Sequence, residues 1–240
     1  MGHPPGLTRP APAPPSGAGA HCGEAIYWRF GPGVTACLAA DRLVFLDTAR
    51  DRYRSLPAPL TEDVLGWLEA PGAAAPKAIG RILKELGFDP AAGSPLRISL
   101  ARPSPIDSEP LPAPPTRIAD LLSVGRSTLS AARDVRSRRL GALLAQRLAR
   151  RPAGRCPAAE LKPRLAIFRA HRPLVPVRRV CLHDCLALMD WLGASGAGVS
   201  LVFGVSAYPF TAHCWLQADG QVLDDHPESP SRFAPILHVP

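Results

Sequence analysis

Short apolar runs separated by polar pairs open the patterned part of the chain. Residues 34–39 (VTACLA), 42–48 (RLVFLDT) and 51–56 (DRYRSL) are β-like, and two polar or small residues join each run to the next. Connections of this length are typical of antiparallel hairpins. The pattern therefore predicts a three-stranded antiparallel meander.

After the meander the apolar spacing becomes helical. Residues 61–70 (TEDVLGWLEA) predict one helix with Thr61 as its N-cap, and residues 75–86 (APKAIGRILKEL) predict a second that Gly87 stops. One face of the second helix carries the apolar side chains Ile79, Ile82, Leu83 and Leu86.

Proline-rich segments divide the chain. There are 29 prolines in 240 residues, and many of them fall within residues 1–22 and 103–116. Neither segment has enough bulky apolar side chains to offset the entropy of ordering. We therefore expect a disordered Pro/Gly-rich tail at 1–22 and an extended linker at 103–116, with one domain at 23–102 and another at 117–240.

The second half begins with helices and ends with strands. Leucines spaced by three or four residues predict helices from 116 to 150 and from 158 to 170, and CLHDCLALMDWLG predicts a third that stops at Gly193. Extended runs follow at 198–206, 211–218, 221–225 and 234–239. Asp219-Gly220 is a strong hairpin signal, so we expect an α+β domain with an antiparallel sheet.

Charge is distributed unevenly along the chain. Residues 126–180 contain 15 Arg or Lys against 2 acidic residues, whereas residues 184–240 contain 1 against 6. A basic helix can bind nucleic acid or an anionic membrane. The arginines here have no interleaved aromatic residues and no nucleic-acid motif, which favours a solvated helical face without either partner.

Compartment and cysteine chemistry follow from the same composition. There is no apolar stretch of about 18 residues and no apolar segment typical of a signal peptide. We therefore expect a soluble, cytoplasmic protein. In that compartment its six cysteines are expected to remain thiols.

Cys181 is a candidate nucleophile. It follows Arg178-Arg179-Val180 and opens the predicted apolar helix. A helix N-terminus and neighbouring arginines both lower a thiol pKa and favour the reactive thiolate. The alternative is that Cys181 is simply a small buried apolar residue.

His213 and Asp225 are candidates to complete a catalytic triad. His213 lies six residues before Asp219, and Asp225 lies five after Gly220, so the predicted hairpin places them opposite each other to within about a residue. A cysteine nucleophile needs a base, and the base needs a group that orients it. The order Cys, His, Asp on a helix and two strands supplies all three.

These residues lie within segments that resemble a known family. CLHDCLALMDWL and LVFGVSAYPFTAHCWLQADGQVLDD resemble the leader peptidases of lasso-peptide biosynthesis, which are transglutaminase-like cysteine peptidases. The resemblance implies a transglutaminase/papain-like α+β fold, with Cys181 as nucleophile, His213 as general base and Asp225 as orienter. Asp224 stands where that family often has Asn. No metal or organic cofactor is implied.

The first domain carries a second, shorter resemblance. VFLDTARDRYRSL is similar to the RiPP recognition element, a winged-helix-like domain to which a leader peptide adds as an extra strand. The peptide-binding residues implied are Asp51, Arg52, Tyr53, Arg54, Ser55 and Leu56 on the edge strand and Ile79, Ile82 and Leu83 on the facing helix.

Together the two resemblances imply a leader peptidase for a ribosomally made precursor peptide, working with an ATP-dependent lasso cyclase. Three alternatives remain. Zinc binding would recruit its ligands from Cys181, Cys185, His213 and Cys214, although neighbours on a strand point to opposite faces. A non-catalytic adaptor would use only the recognition half. An acyl transferase would share the thioester intermediate but pass it to an amine.

Overall fold

The computed structural model describes residues 24–70, 72–90, 93–102, 117–150, 158–223 and 230–240, together with residues 115 and 154. The predicted tail at 1–22 and nearly all of the predicted linker at 103–116 therefore lie outside the described residues. So do Asp224 and Asp225.

The described chain is a mixed α+β structure with antiparallel sheets. Its strands are β1 (Glu24–Gly31), β2 (Val34–Ala39), β3 (Arg42–Asp47), β4 (Arg52–Ser55), β5 (Leu96–Ala101), β6 (Ser200–Ala207), β7 (Phe210–Ala218), β8 (Gln221–Val222) and β9 (Ala234–Val239). Its helices are α1 (Ala58–Glu69), α2 (Lys77–Glu85), α3 (Ile118–Ser137), α4 (Leu140–Ala149), α5 (Ala158–His171) and α6 (Cys181–Leu192). None of these helices combines the length and apolar character needed to cross a membrane.

The first sheet has five strands, in the order β4-β3-β2-β1-β5. Strands β2, β3 and β4 are the predicted meander, but the prediction of only three strands is wrong. β1 adds to β2, and β5 returns to pair with β1, so that Glu24 lies opposite Ala101. The pairing of β5 is non-local and has no hairpin signal, which is why the local pattern did not reveal it.

The two faces of this sheet pack against different partners. Side chains such as Phe30, Leu43 and Phe45 form one cluster with α1 and α2. Side chains on the other face, including Val44 and Leu46, belong to the large core of the second half. The two segments predicted as separate domains thus share a buried face.

The predicted start of α1 is wrong, whereas the stop of α2 is confirmed. α1 begins at Ala58 because Pro57 pre-sets the backbone angle at its N-terminus. Thr61 is therefore inside the helix, where its hydroxyl donates to the Pro57 carbonyl and accepts from the Leu43 N–H, each at 3.3 Å. Gly87 follows α2 with φ +82°.

The second sheet has the order β8-β7-β6-β9 and is antiparallel throughout. The predicted hairpin is confirmed: Asp219 and Gly220 have φ of 51° and 75°, and Ala218 pairs with Gln221. Gly193 stops α6 with φ 51°, as predicted. The segment predicted to be helical up to residue 150 is two helices, which separate between residues 137 and 140.

A turn of the first sheet is clamped to the start of α4. The Gly141 N–H donates to the Thr48 carbonyl at 2.8 Å, and the Leu140 N–H donates to the Asp51 carboxylate at 2.7 Å. The Arg139 guanidinium donates to the Ala49 carbonyl at 3.0 Å. Asp51 thereby caps a helix that belongs to the other half of the chain.

A buried ion pair shapes the segment that enters α6. Arg172 and Asp184 are 2% and 1% exposed, and the guanidinium Nε donates to the carboxylate at 2.8 Å. The same guanidinium donates to the carbonyls of Val175, Val177 and Arg178 at 3.2–3.5 Å. One side chain therefore binds both α6 and the backbone that leads into it.

Replacing Asp184 by Ala leaves the Arg172 charge buried without its carboxylate. We expect the free energy of unfolding to fall by about 3–5 kcal/mol, which is the usual cost of breaking a buried pair from one side. Urea denaturation followed by circular dichroism measures this change. Glu85→Ala, which breaks exposed contacts to Arg54 and Arg81, is the control and should change stability by less than about 1 kcal/mol. Equal effects of the two substitutions would contradict the structural role of the buried pair.

Candidate active site

Cys181 is the first residue of α6. Val180 before it is extended, so the helix begins abruptly at the thiol. Its side chain is partly buried and lines a cavity together with His213 and Cys214. The positive end of the helix dipole therefore acts on a sulfur that substrate can reach.

His213 is held in β7 by aromatic neighbours. Its ring stacks on Trp215 at a centroid distance of 6.2 Å and lies 5.1 Å from Phe233. The residue opposite it on β6 is Gly204. A Cβ at that position would lie 2.8 Å from atoms of both Trp215 and Phe233, so only glycine leaves room for the rings that pack against His213.

The Cys181 thiol has a strongly lowered pKa, about 4 against an ordinary 9.0. The largest cause is a hydrogen bond with the Cys214 side chain. A hydrogen bond with His213, the Cys214 backbone and the electrostatic influence of His213 lower the pKa further, and burial opposes them. Cys181 is therefore a thiolate at neutral pH, which is the form that attacks a carbonyl.

Cys214 is the thiol partner that sequence reasoning did not identify. Its pKa is raised well above the ordinary value by its hydrogen bonds with Cys181 and Cys185 and by burial, so it stays protonated. Its sulfur lies 3.9 Å from the Cys185 sulfur. The sequence placed a cysteine directly after His213, but only the packing of α6 on β7 brings that thiol to Cys181.

The arginines before α6 act differently from the prediction. They were expected to lower the Cys181 pKa directly, yet the largest contribution comes from Cys214. Arg179 donates to the Asp184 carboxylate at 3.2 Å, and Arg172 binds the other oxygen of the same group. The Asp184 carboxylate therefore offsets the positive charge of Arg179, which the sequence predicts to act on the Cys181 thiol.

The predicted orienter, Asp225, lies outside the described residues. Leu223, the last described residue before it, is anchored to β7, because the Leu223 N–H donates to the Leu216 carbonyl at 2.8 Å. Arg169 also donates to the Leu223 carbonyl at 2.8 Å. The role of Asp225 therefore stays a prediction.

The zinc alternative receives no support from the described residues. Among them there is no group of three or more His, Cys, Asp or Glu side chains placed to hold a metal ion. Cys214 packs toward Cys185 on α6, whereas the ring of His213 packs on Trp215 and Phe233. Both residues nevertheless lie at Cys181, since each lowers the pKa of that thiol through a hydrogen bond.

The cavity beside Cys181 has a volume of about 350 Å³. Both halves of the chain line it, since Leu46 and Tyr53 come from the first sheet, Asp51 from the turn between β3 and β4, and Leu140 and Leu143 from α4. Its other lining residues are Val135, Arg138, Cys181, Leu182, Phe203, Ala212, His213 and Cys214. The candidate nucleophile and the predicted recognition strand thus lie at one cavity.

The predicted peptide-binding strand is β4, which is an edge strand of the first sheet among the described residues. The Leu56 N–H donates to the Leu43 carbonyl, so alternation places the N–H groups of Tyr53 and Ser55 on the side away from β3. These outward groups have the arrangement that strand addition requires. Asp51 is also predicted to bind peptide, but its carboxylate accepts a hydrogen bond from the N-terminus of α4.

The remaining predicted peptide-binding side chains lie on the other face. Arg54 pairs with Glu85 of α2 at 3.4 Å, which links β4 to that helix, and Arg52 is exposed. Leu56, Ile79 and Leu83 are at most 4% exposed and belong to the core between α2 and the sheet, with Ile82 packed at its edge. These three side chains therefore belong to the core beneath β4, and their role in peptide binding stays a prediction.

Residues 124–238, just under half of the chain, match the family model described as the transglutaminase-like superfamily. This part of the chain is similar to a transglutaminase-like domain. The match covers α6, β6 and β7, and therefore Cys181, His213 and Cys214. The superfamily includes cysteine peptidases. No curated protein and no solved structure matches the chain.

Removing the Cys214 thiol should raise the Cys181 pKa. In the wild-type protein iodoacetamide should alkylate Cys181 at nearly its full rate at pH 6, because that pH lies above a pKa of about 4. In Cys214→Ala the pKa should move toward 9.0, so the rate at pH 6 should fall at least tenfold and recover at alkaline pH. Alkylation rates from mass spectrometry between pH 4 and 10 measure this.

Cys37→Ala is the matched control, since Cys37 is another buried thiol and its sulfur contacts the Ala234 carbonyl. In Cys37→Ala the alkylation rate of Cys181 should depend on pH as it does in the wild type. An unchanged profile in Cys214→Ala would show that Cys214 does not stabilise the thiolate.

Proposed function

We propose that this chain is a cysteine peptidase that binds a ribosomal precursor peptide and removes its leader. The released core would then be available for macrolactam cyclisation in lasso-peptide biosynthesis. The domain match at residues 124–238 supports a peptidase-type fold. The lasso-peptide assignment rests on the resemblance of the segments around Cys181 and His213.

One observation carries the proposal: the Cys181 thiol is held as a thiolate beside a histidine, and both side chains line one cavity. A structural buried cysteine has a raised pKa, as Cys37 does in this protein. Thiolates with a lowered pKa and partial exposure are typical of catalytic sites.

The reaction proceeds through a thioester. The Cys181 thiolate attacks the carbonyl carbon at the leader–core junction, and His213 donates a proton to the departing amine of the core. Water then attacks the thioester while His213 takes up its proton, which releases the leader as a carboxylate and restores the thiolate. The first backbone N–H groups of α6, including that of Cys181, have no intrahelical acceptor and can stabilise the oxyanion. Asp225 orients His213 in this proposal.

Recognition uses the edge of the first sheet. The leader adds to β4 as a further antiparallel or parallel strand, bonding to the outward groups of Tyr53 and Ser55. Because Tyr53 also lines the Cys181 cavity, a bound leader is delivered next to the nucleophile. The partners are therefore the precursor peptide and, after cleavage, an ATP-dependent lasso cyclase that takes the core. The chemistry requires no cofactor.

Cleavage should depend on Cys181 and His213. Mass spectrometry of a precursor encoded beside this chain should show a separate leader and core with the wild type. Cys181→Ala should reduce the rate at least about 10³-fold, and His213→Ala at least about 10²-fold, because they remove the nucleophile and the base.

His183→Ala is the control for the base, since His183 is two residues from Cys181 on the same helix. It should retain cleavage within a fewfold of the wild type. Undiminished cleavage by Cys181→Ala would refute the proposed mechanism.

Strand addition should depend on the outward N–H of Ser55. Ser55→Pro removes that donor and should raise KM for the precursor about tenfold, because one main-chain bond is lost and the proline ring obstructs the edge. Ser55→Ala keeps the N–H and is the matched control, with KM expected near the wild-type value. Titration of cleavage rate against precursor concentration gives KM, and identical values for the two variants would exclude β4 as the docking edge.

A further inference from the structure

The cavity beside Cys181 has walls that are mainly apolar. They are formed by the side chains of Leu46, Tyr53, Val135, Leu140, Leu143, Leu182, Phe203 and Ala212. Its volume of about 350 Å³ lies in the range of small-molecule pockets. It is large enough for a Leu or Phe side chain together with adjoining backbone.

The charged groups at this cavity are already engaged. The Asp51 carboxylate accepts the Leu140 N–H at 2.7 Å, and Arg138 lies 3.6 Å from the Asp134 carboxylate. The Cys181 thiolate adds a negative charge to the cavity wall. A charged substrate side chain would lose its hydration here without a new partner, and a carboxylate would also be repelled.

Neither half of the chain forms this cavity alone. Leu46 and Tyr53 lie on β3 and β4, whereas Leu140 and Leu143 lie on α4. The clamp between residues 48–51 and 139–141 fixes these two walls relative to each other. Tyr53 also packs edge-on against Phe210 of β7 at a ring distance of 5.5 Å, which joins β4 to the second sheet.

We propose that this composite cavity is a specificity subsite that receives one bulky apolar side chain from the leader side of the scissile bond. The inference rests on the proposed peptidase function. The leader side is assigned because Tyr53 belongs both to the strand on which the leader is proposed to dock and to the cavity wall. The side chain belongs to the residue at the junction or to the one before it, since the cavity adjoins the nucleophile itself.

Cysteine-directed peptide probes test the subsite without a precursor. We would compare acetyl-Ala-Phe, acetyl-Phe-Ala and acetyl-Ala-Ala chloromethyl ketones as alkylating agents of Cys181 in the full chain. At least one of the two Phe probes should react about 10- to 100-fold faster than the Ala-Ala probe, as expected for burial of a large apolar side chain. Iodoacetamide provides a measure of thiolate reactivity that does not depend on the subsite.

Filling the cavity should abolish this preference. Leu140→Trp places a larger ring in the cavity, so the ratio of Phe-probe to Ala-Ala-probe rates should fall close to one. Leu148→Trp is the matched control, because Leu148 lies on the same helix, is 45% exposed and does not line this cavity. Its ratio should equal that of the wild type.

The outcomes separate the subsite from the proposed function. Equal rates for all three peptide probes, with normal labelling of Cys181 by iodoacetamide, would overturn the subsite and leave the nucleophile in place. A preference that survives in Leu140→Trp would overturn the assignment to this cavity. Absence of Cys181 labelling by every reagent in the folded protein would overturn the nucleophile and the subsite together.

Discussion

The buried pair between Arg172 and Asp184 is the constraint on which the site depends. A guanidinium and a carboxylate that are both almost fully buried are stable only when each has several partners. Arg172 meets this requirement by binding three backbone carbonyls in the nine residues before Cys181. The same contacts that satisfy the charge therefore fix where α6 begins, and with it the position of the thiol.

From that starting point β7 supplies the rest of the chemistry. His213 and Cys214 are consecutive on this strand, and both form hydrogen bonds with the Cys181 thiol that lower its pKa. The His213 ring also packs on Trp215 and Phe233, and the Cys214 sulfur lies 3.9 Å from that of Cys185. The histidine is suited to moving protons, and the protonated Cys214 stabilises the thiolate as a hydrogen-bond donor. Gly204 on the neighbouring strand leaves the space for this packing.

Features coded by neighbouring residues were predictable from the sequence. The periodicity of CLHDCLALMDWL predicted the position of α6, and the Asp219-Gly220 turn predicted the hairpin. These two predictions were accurate enough to identify Cys181 and His213 as candidate site residues. The role of Cys214 was not predictable in this way, because it depends on the packing of a helix against a strand about 30 residues away. The pairing of β5 with β1 and the contribution of Tyr53 to the Cys181 cavity are likewise long-range, so no local pattern reports them.

The shared face of the first sheet also affects how the chain is made. Val44 and Leu46 are covered by parts of the second half, including β9 at residues 234–239. At about 5–20 residues per second a ribosome needs roughly 10–40 s to synthesise the intervening chain. During that interval an apolar face and the open edge of β4 are presented together. The newly made first half therefore exposes surface that favours aggregation until the second half folds onto it.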